Sequence, residues 1–168
     1  MTDAPATTRS IRRLSVPLGL PYAEGVRRFE ELLPAVDVEQ FTTLTSWDEV
    51  VALAGRAAPL GLMRFWTLDV APLMVGRAGR ECVEYLAGNH VIAERMYRHD
   101  PVAMLYAPLR ILIHADAAGD AVFVIDQPSS QFGSLGQPEI AAVGRELDGK
   151  IAAVLTALGA EPPAALAG

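Results

Sequence analysis

Cysteine is almost absent from this 168-residue chain, in which Cys82 stands alone. A single thiol makes no internal disulfide and builds no multi-cysteine zinc or iron–sulfur site, a pattern that fits a reducing compartment. Lysine is as scarce: Lys150 is the only one, so arginine carries nearly all the positive charge. An excess of positive charge is missing too. The net charge is −6 and the pI about 5.0, which disfavours a broad nucleic-acid footprint. No run approaches the roughly 18 uninterrupted apolar residues of a membrane-crossing helix. Met1–Ser10 is small and polar, without the apolar centre of a secretory signal. The expected setting is cytoplasmic, with neither nucleic acid nor membrane as a partner.

Apolar residues are plentiful. At 51% hydrophobic against 20% charged, the main body has enough apolar side chains to fold. A chain of this length buries roughly two-thirds of its unfolded surface as one domain. Residues 1–10 and 160–168 are expected to be flexible tails around a single domain over 11–159.

Ile11–Leu18 reads as a strand at or near a sheet edge, since Pro17 and Gly19 end it. Pro21 opens a helix with Tyr22, Val26, Phe29 and Leu33 on one face, stopping near Pro34. Val38–Leu44 reads as a second, weakly alternating strand. Ser46 and Glu49 form a capping box for a helix over 47–57. Leu62–Val70 is a strand with Met63, Phe65 and Thr67 on one side and Arg64, Trp66 and Leu68 on the other. Glu81–Leu86 is another strand, after which Asn89 caps a helix burying Val91, Ile92, Met96 and Tyr97 and ending before Asp100-Pro101. Leu109–His114 and Ala121–Asp126 form an antiparallel hairpin through Ala115–Asp120. Pro138 starts a long helix with Ile140, Val143, Leu147, Ile151, Val154 and Leu158 facing inward. Without regular βαβ spacing, the expected class is α+β: a two-layer single domain with helices packed on one face of a largely antiparallel sheet.

Three phrases carry a resemblance over most of residues 11–158. They are Ala87-Gly88-Asn89-His90 leading to Asp100-Pro101, Tyr106-Ala107-Pro108-Leu109-Arg110, and Ile125-Asp126-Gln127-Pro128-Ser129 followed by Glu146-Leu147-Asp148. In their order and spacing the chain resembles the bacterial and archaeal family named domain of unknown function 302. The resemblance implies a compact, self-associating α+β domain and supplies no activity. Two positions depart from the family pattern, with His90 in place of a proline and Ile125 in place of a tyrosine, so no role for either residue type carries over.

Chemistry concentrates near three polar positions. Asn89 is a helix cap and His90 a first-turn residue, and the same helix N-terminus suits an anion. Arg110 shares a strand face with Leu112 and His114, opposite Ile111 and Ile113, with Asp126 on the neighbouring strand as its expected partner or, alternatively, a substrate anion. Asp126 and Ser129 suit turn capping, and a Ser129–His90 or His114–Asp126 triad has no nucleophile elbow around it. Glu84 and Tyr85 line the same expected cleft, Glu84 as a candidate base. No metal site is expected, because no two of His90, His99 and His114 have metal-ligand helical spacing. No cofactor is expected either, with haem ligated by His90 or His99 and Met96 or Met104 as the alternative. Trp47 and Trp66 read as core or interface anchors, and Arg9, Arg12 and Arg13 as a solvated basic cluster.

The leading expectation is a binding domain for a small anionic or apolar ligand or for a partner, working as a homo-oligomer, a dimer above all. Asn89, Arg110 and Asp126 would be the polar fixtures of an apolar cleft. One alternative is a small enzyme acting on an acidic or carbonyl substrate, with Arg110 anchoring the anion and Asp126 or His90 as acid or base. A purely structural or interaction protein is the other.

Overall fold

The computed structural model describes residues 6–74 and 81–166. Five strands form one antiparallel sheet: β1 (Arg13–Pro21), β2 (Met63–Asp69), β3 (Cys82–Gly88), β4 (Leu109–Ala115) and β5 (Asp120–Asp126). Their order across the sheet is β1-β5-β4-β3-β2. The first strand therefore closes against the last, with Arg13 opposite Asp126 and Val16 opposite Phe123. Pro17 and Pro21 are tolerated because β1 is an edge, where a missing N–H breaks no interior ladder.

The helices are α1 (Tyr22–Leu32), α2 (Val38–Thr42), α3 (Trp47–Ala57), α4 (His90–Tyr97), α5 (Pro128–Gly133) and α6 (Pro138–Ala157). Alternation along β4 shows which sheet face they cover: Leu109, Ile111 and Ile113 are buried, while Arg110 is exposed and Leu112 and His114 are half-buried. Phe123 and Ile125 of β5 join the same core as Phe29 of α1 and Ile140, Leu147 and Ile151 of α6. The chain is a single α+β domain with one covered and one open sheet face. All six inward positions expected in the long helix are buried.

The β4–β5 hairpin forms as its turn chemistry predicts. Asp116 Oδ1 accepts from the amides of Ala118 and Asp120, and Gly119 takes φ 89°, the left-handed region that favours glycine. The capping box of α3 is present in both directions.

Four readings are corrected. Val38–Thr42 is helix, not strand, because Asp37 accepts the amide of Gln40 and Phe41 packs onto Ala54, Ala58 and Met63. The alternation of β2 breaks at a bulge: Arg64 pairs with Ala87 and Trp66 with Leu86, leaving Phe65 as the extra residue. Tyr97 is exposed rather than buried, and of the two readings of Trp47 and Trp66, core or interface anchor, their exposure removes the core one. Pro128–Gly133 is a short helix rather than a turn. Of the two segments expected as tails, residues 6–10 are exposed, while 164–166 form a single turn that buries Leu166 in the main core. Residues 1–5, 167 and 168 lie outside the described residues.

Candidate functional site

Helix α4 starts immediately after β3 ends, so residues 88–90 turn at one end of the sheet. Asn89 makes that turn stable. Its Oδ1 accepts from the amide of Val91 at 2.9 Å, and its Nδ2 donates to the carbonyl of Gly61 at 3.1 Å. Both ends of the amide are engaged, which accounts for asparagine at this position.

The next residue is not accounted for in the same way. The His90 ring stacks on Phe41 at 4.3 Å and meets the edge of Phe65 at 5.0 Å. Its orientation is thus held by the two elements that departed from expectation, α2 and the β2 bulge. The Nδ1 atom is buried and has no hydrogen-bond partner. An unmet buried polar atom costs about 1–3 kcal/mol, and among the described residues no other buried side-chain nitrogen or oxygen lacks a partner. Burial also pushes the His90 pKa down, favouring the neutral ring.

Asn89 and His90 form part of the wall of a cavity of about 140 Å³. Ile92, Ala93 and Met96 of α4 add to it, Met104 and Pro108 close the side towards β4, and Phe132 of α5 and Leu147 of α6 lie across. Neither a cation nor a carboxylate is in this wall. On the outer side of His90, Val38, Phe41, Trp47 and Phe65 line a second apolar hollow.

The other polar candidates lie elsewhere. Arg110 and Asp126 are on the open sheet face, and they do not pair with each other. Arg110 instead binds Glu84 of β3, while Asp126 accepts from Arg13 Nε at 2.8 Å. The reason is topological: placing β1 beside β5 gives Asp126 its own arginine, which the separation of 113 residues conceals. In both pairs the arginine is exposed and the carboxylate half-buried. They border a half-open concavity of about 710 Å³ on that face, shared with Leu86, Leu112, Val124 and Tyr106. Arg110 and Asp126 line this concavity and His90 the pocket beside α4, and the two adjoin at Met104, Ala107 and Pro108.

Tyr85 is in the core, not in a cleft. It is fully buried against Phe29 at 4.7 Å and donates its hydroxyl to Glu30 Oε1 at 3.0 Å. Burial, first, and the charge of Glu30 raise its pKa far above the usual phenol value. Ser129 belongs to a structural cluster. Asp148, only 3% exposed, accepts from the Ser129 amide at 2.9 Å and from Gln127 Nε2 at 2.8 Å. Gln127 also donates to the carbonyl of Ala165 at 2.7 Å. Asp148 thus holds the start of α5 from the side of α6, which crosses closely at Gly144, where a Cβ would lie 3.0 Å from Phe132 and 3.1 Å from the Ser129 backbone. Two halves of the third phrase, 125–129 and 146–148, meet here, so their spacing serves packing.

Ser129, His90, His114 and Asp126 are joined by no hydrogen bond, and His114 Nδ1 sits 2.9 Å from the carbonyl of Ala115. Among the described residues no group of three or more His, Cys, Asp or Glu is placed to hold a metal, and no helix is long and apolar enough to cross a membrane. His99 is exposed at the end of α4.

The aromatic wall was not legible from the sequence. Phe41 and Phe65 are 49 and 25 residues from His90, in one segment expected as a strand and one expected to alternate evenly. Only folding brings them together.

Known proteins agree with this architecture. No curated protein matches the sequence. Among solved structures, the uncharacterized conserved protein DUF302 from Bacillus stearothermophilus superimposes with a TM-score of 0.64. It is 13% identical, and the match covers 87% of this chain and 97% of that one, so the likeness is one of fold. The family model described as Domain of unknown function DUF302 matches residues 19–158, from the end of β1 to the end of α6, and the chain belongs to that family.

Proposed function

We propose that this domain binds a small, mainly apolar molecule in the cavity beside His90. The observation that carries the reading is the half-open pocket itself, an apolar space bounded by β3, α4, α5 and α6 and by the segment before β4. Engineered apolar cavities near 150 Å³ remain dry and take up benzene, so this volume is sufficient for a ligand. Catalysis has less support, because the arginine and carboxylates suited to an acidic substrate are taken up in ion pairs.

Native mass spectrometry of the purified protein, with small aromatic hydrocarbons added, tests the proposal. Ala93→Leu fills the cavity from α4, at a half-buried position. The expected result is uptake of benzene by the wild type and none by the variant, with the variant's Tm held or raised. Equal uptake by both proteins would place binding elsewhere.

A second reading is favoured by the open sheet face, which we propose as the surface through which two copies associate. Leu86, Leu112, Val122 and Val124 lie on it half-buried, in place of the polar residues usual on a solvated face. From β1 to β3 the charges Arg13, Asp126, Arg110 and Glu84 alternate in sign, so an identical face offers both partners. The strand spacings give the face a projected area of roughly 550 Å², which side-chain relief brings near the roughly 800 Å² per partner of a standard interface. Sedimentation velocity should find a dimer that Leu112→Arg converts to monomer. A wild-type monomer at high protein concentration would end this reading.

A further inference from the structure

The charges on the open sheet face are placed so that two copies fit in one register. We infer that the copies pair about a two-fold axis running along the strands between β4 and β5, so that Arg110 of each copy binds Asp126 of the other. The inference rests on the reading of this face as the interface between copies, and it adds the register and the bonds that fix it.

Side chains on this face stand in rows across the strands. From β1 to β3 the first row is Arg13, Asp126, Arg110 and Leu86. Arg13 is opposite Asp126, Arg110 is opposite Leu86, and the Ile111–Ile125 pair puts Arg110 beside Asp126. The second row is Ser15, Val124, Leu112 and Glu84, each opposite the next. Sheets packed face to face keep their strands nearly aligned, so a two-fold axis between them runs either across the strands or along them. An axis across the strands sets Asp126 against Val124, Val122 or its own copy, and none of these is a cation. An axis along the strands sets each row against its own reverse. Centred on β4 it faces Arg110 with Arg110, and centred on β5 it faces Asp126 with Asp126. Moved towards β3, it faces Arg110 with Leu86 or Trp66. Moved towards β1, it leaves only β1 and β5 covered. Between β4 and β5 it faces Arg110 with Asp126 twice and Leu112 with Val124 twice, so charge meets opposite charge and apolar meets apolar.

The local geometry leaves these bonds free to form. The concavity of about 710 Å³ is lined from β1, β5, β4 and β3, and is thus centred on the same axis. The Arg110 side chain is 74% exposed, and Glu84 engages one nitrogen of a guanidinium that has five N–H donors. Asp126 accepts from Arg13 and keeps further lone pairs, since a carboxylate accepts about four bonds. Facing sheets lie about 10 Å apart, a gap that an arginine and an aspartate span together. The ion pair that the sequence suggests, absent within one copy, is made between two.

Charge reversal followed by mixing tests the inference. Arg110→Glu and Asp126→Arg each bring like charges together in a homodimer. Each variant alone should therefore sediment as a monomer at concentrations where the wild type is dimeric. Mixed in equal amounts, the two variants regain opposite charges at both contacts and should dimerise. Any strain within a variant copy is the same alone and mixed, so the gain on mixing reports the contact between copies. As a readout that needs no variant, the wild-type dimer should dissociate more readily as sodium chloride is raised, because salt screens ion pairs. Single variants that stay dimeric, a mixture that stays monomeric, or a wild-type dimer that holds or tightens in salt would overturn the inference and leave the face as an interface. A wild type that is monomeric at every concentration would overturn the interface reading as well.

Discussion

At position 90 a helix start and a cavity wall share one imidazole. The helix needs nothing from that side chain, because Asn89 supplies the cap; the wall holds the ring between Phe41 and Phe65. Burial lowers the His90 pKa below its usual 6.5, so the folded protein takes up this proton less readily than the unfolded chain. The stability it preserves is complete above about pH 6.5 and is lost as the pH falls from there towards the lower folded value. Urea midpoints at pH 7 and pH 5 should therefore differ less in His90→Phe than in the wild type; parallel changes would mean that the imidazole titrates alike in both states. Arg110 illustrates what residue-level reading reaches. Period-two alternation placed it correctly on the face of Leu112 and His114, since the strand pleat dictates side. It did not identify Glu84 as the partner, since pairing depends on which strands are neighbours.

At the level of elements, local chemistry was readable where a side chain closes a bond within a few residues. The Ser46–Glu49 capping box, the Asn89 cap and the Asp116–Gly119 turn are of this kind. Asn89→Ala should cost about 1–2 kcal/mol in chemical denaturation, the usual value of a lost cap, and the bond to Gly61 is lost with it. Asn89→Asp keeps an acceptor for Val91 but no donor for Gly61, so its loss should be smaller; equal losses would assign the whole effect to the Gly61 contact. Short elements were the ones misread. Five residues of α2 are too few for periodicity to separate strand from helix, and helical geometry wins because Phe41 reaches the small core of Ala54, Ala58 and Met63. Likewise α5 has no side-chain cap of its own, and its start is held by Asp148 from another helix.

For the whole molecule, closure of the chain on itself is the decisive feature. β1 joins β5, and residues 160–166 return to the core, where Leu166 is 2% exposed and the carbonyl of Ala165 accepts from Gln127. Leu166→Ala should therefore lower stability by about 2–3 kcal/mol in thermal or urea unfolding, the cost of a large-to-small change in a core; a loss below about 0.5 kcal/mol, typical of surface sites, would show that this segment is detached in solution. The sequence by itself determined the α+β class, the hairpin, the long helix with its buried face and the capped helix starts. These rest on periodicity and on bonds between near neighbours, which any stretch of chain carries with it. Only the tertiary structure decided the strand order, the partners of Arg110 and Asp126, the burial of the C-terminal segment and the aromatic frame around His90. Each of those depends on contacts between residues far apart in the chain, whose geometry exists only once the core has closed.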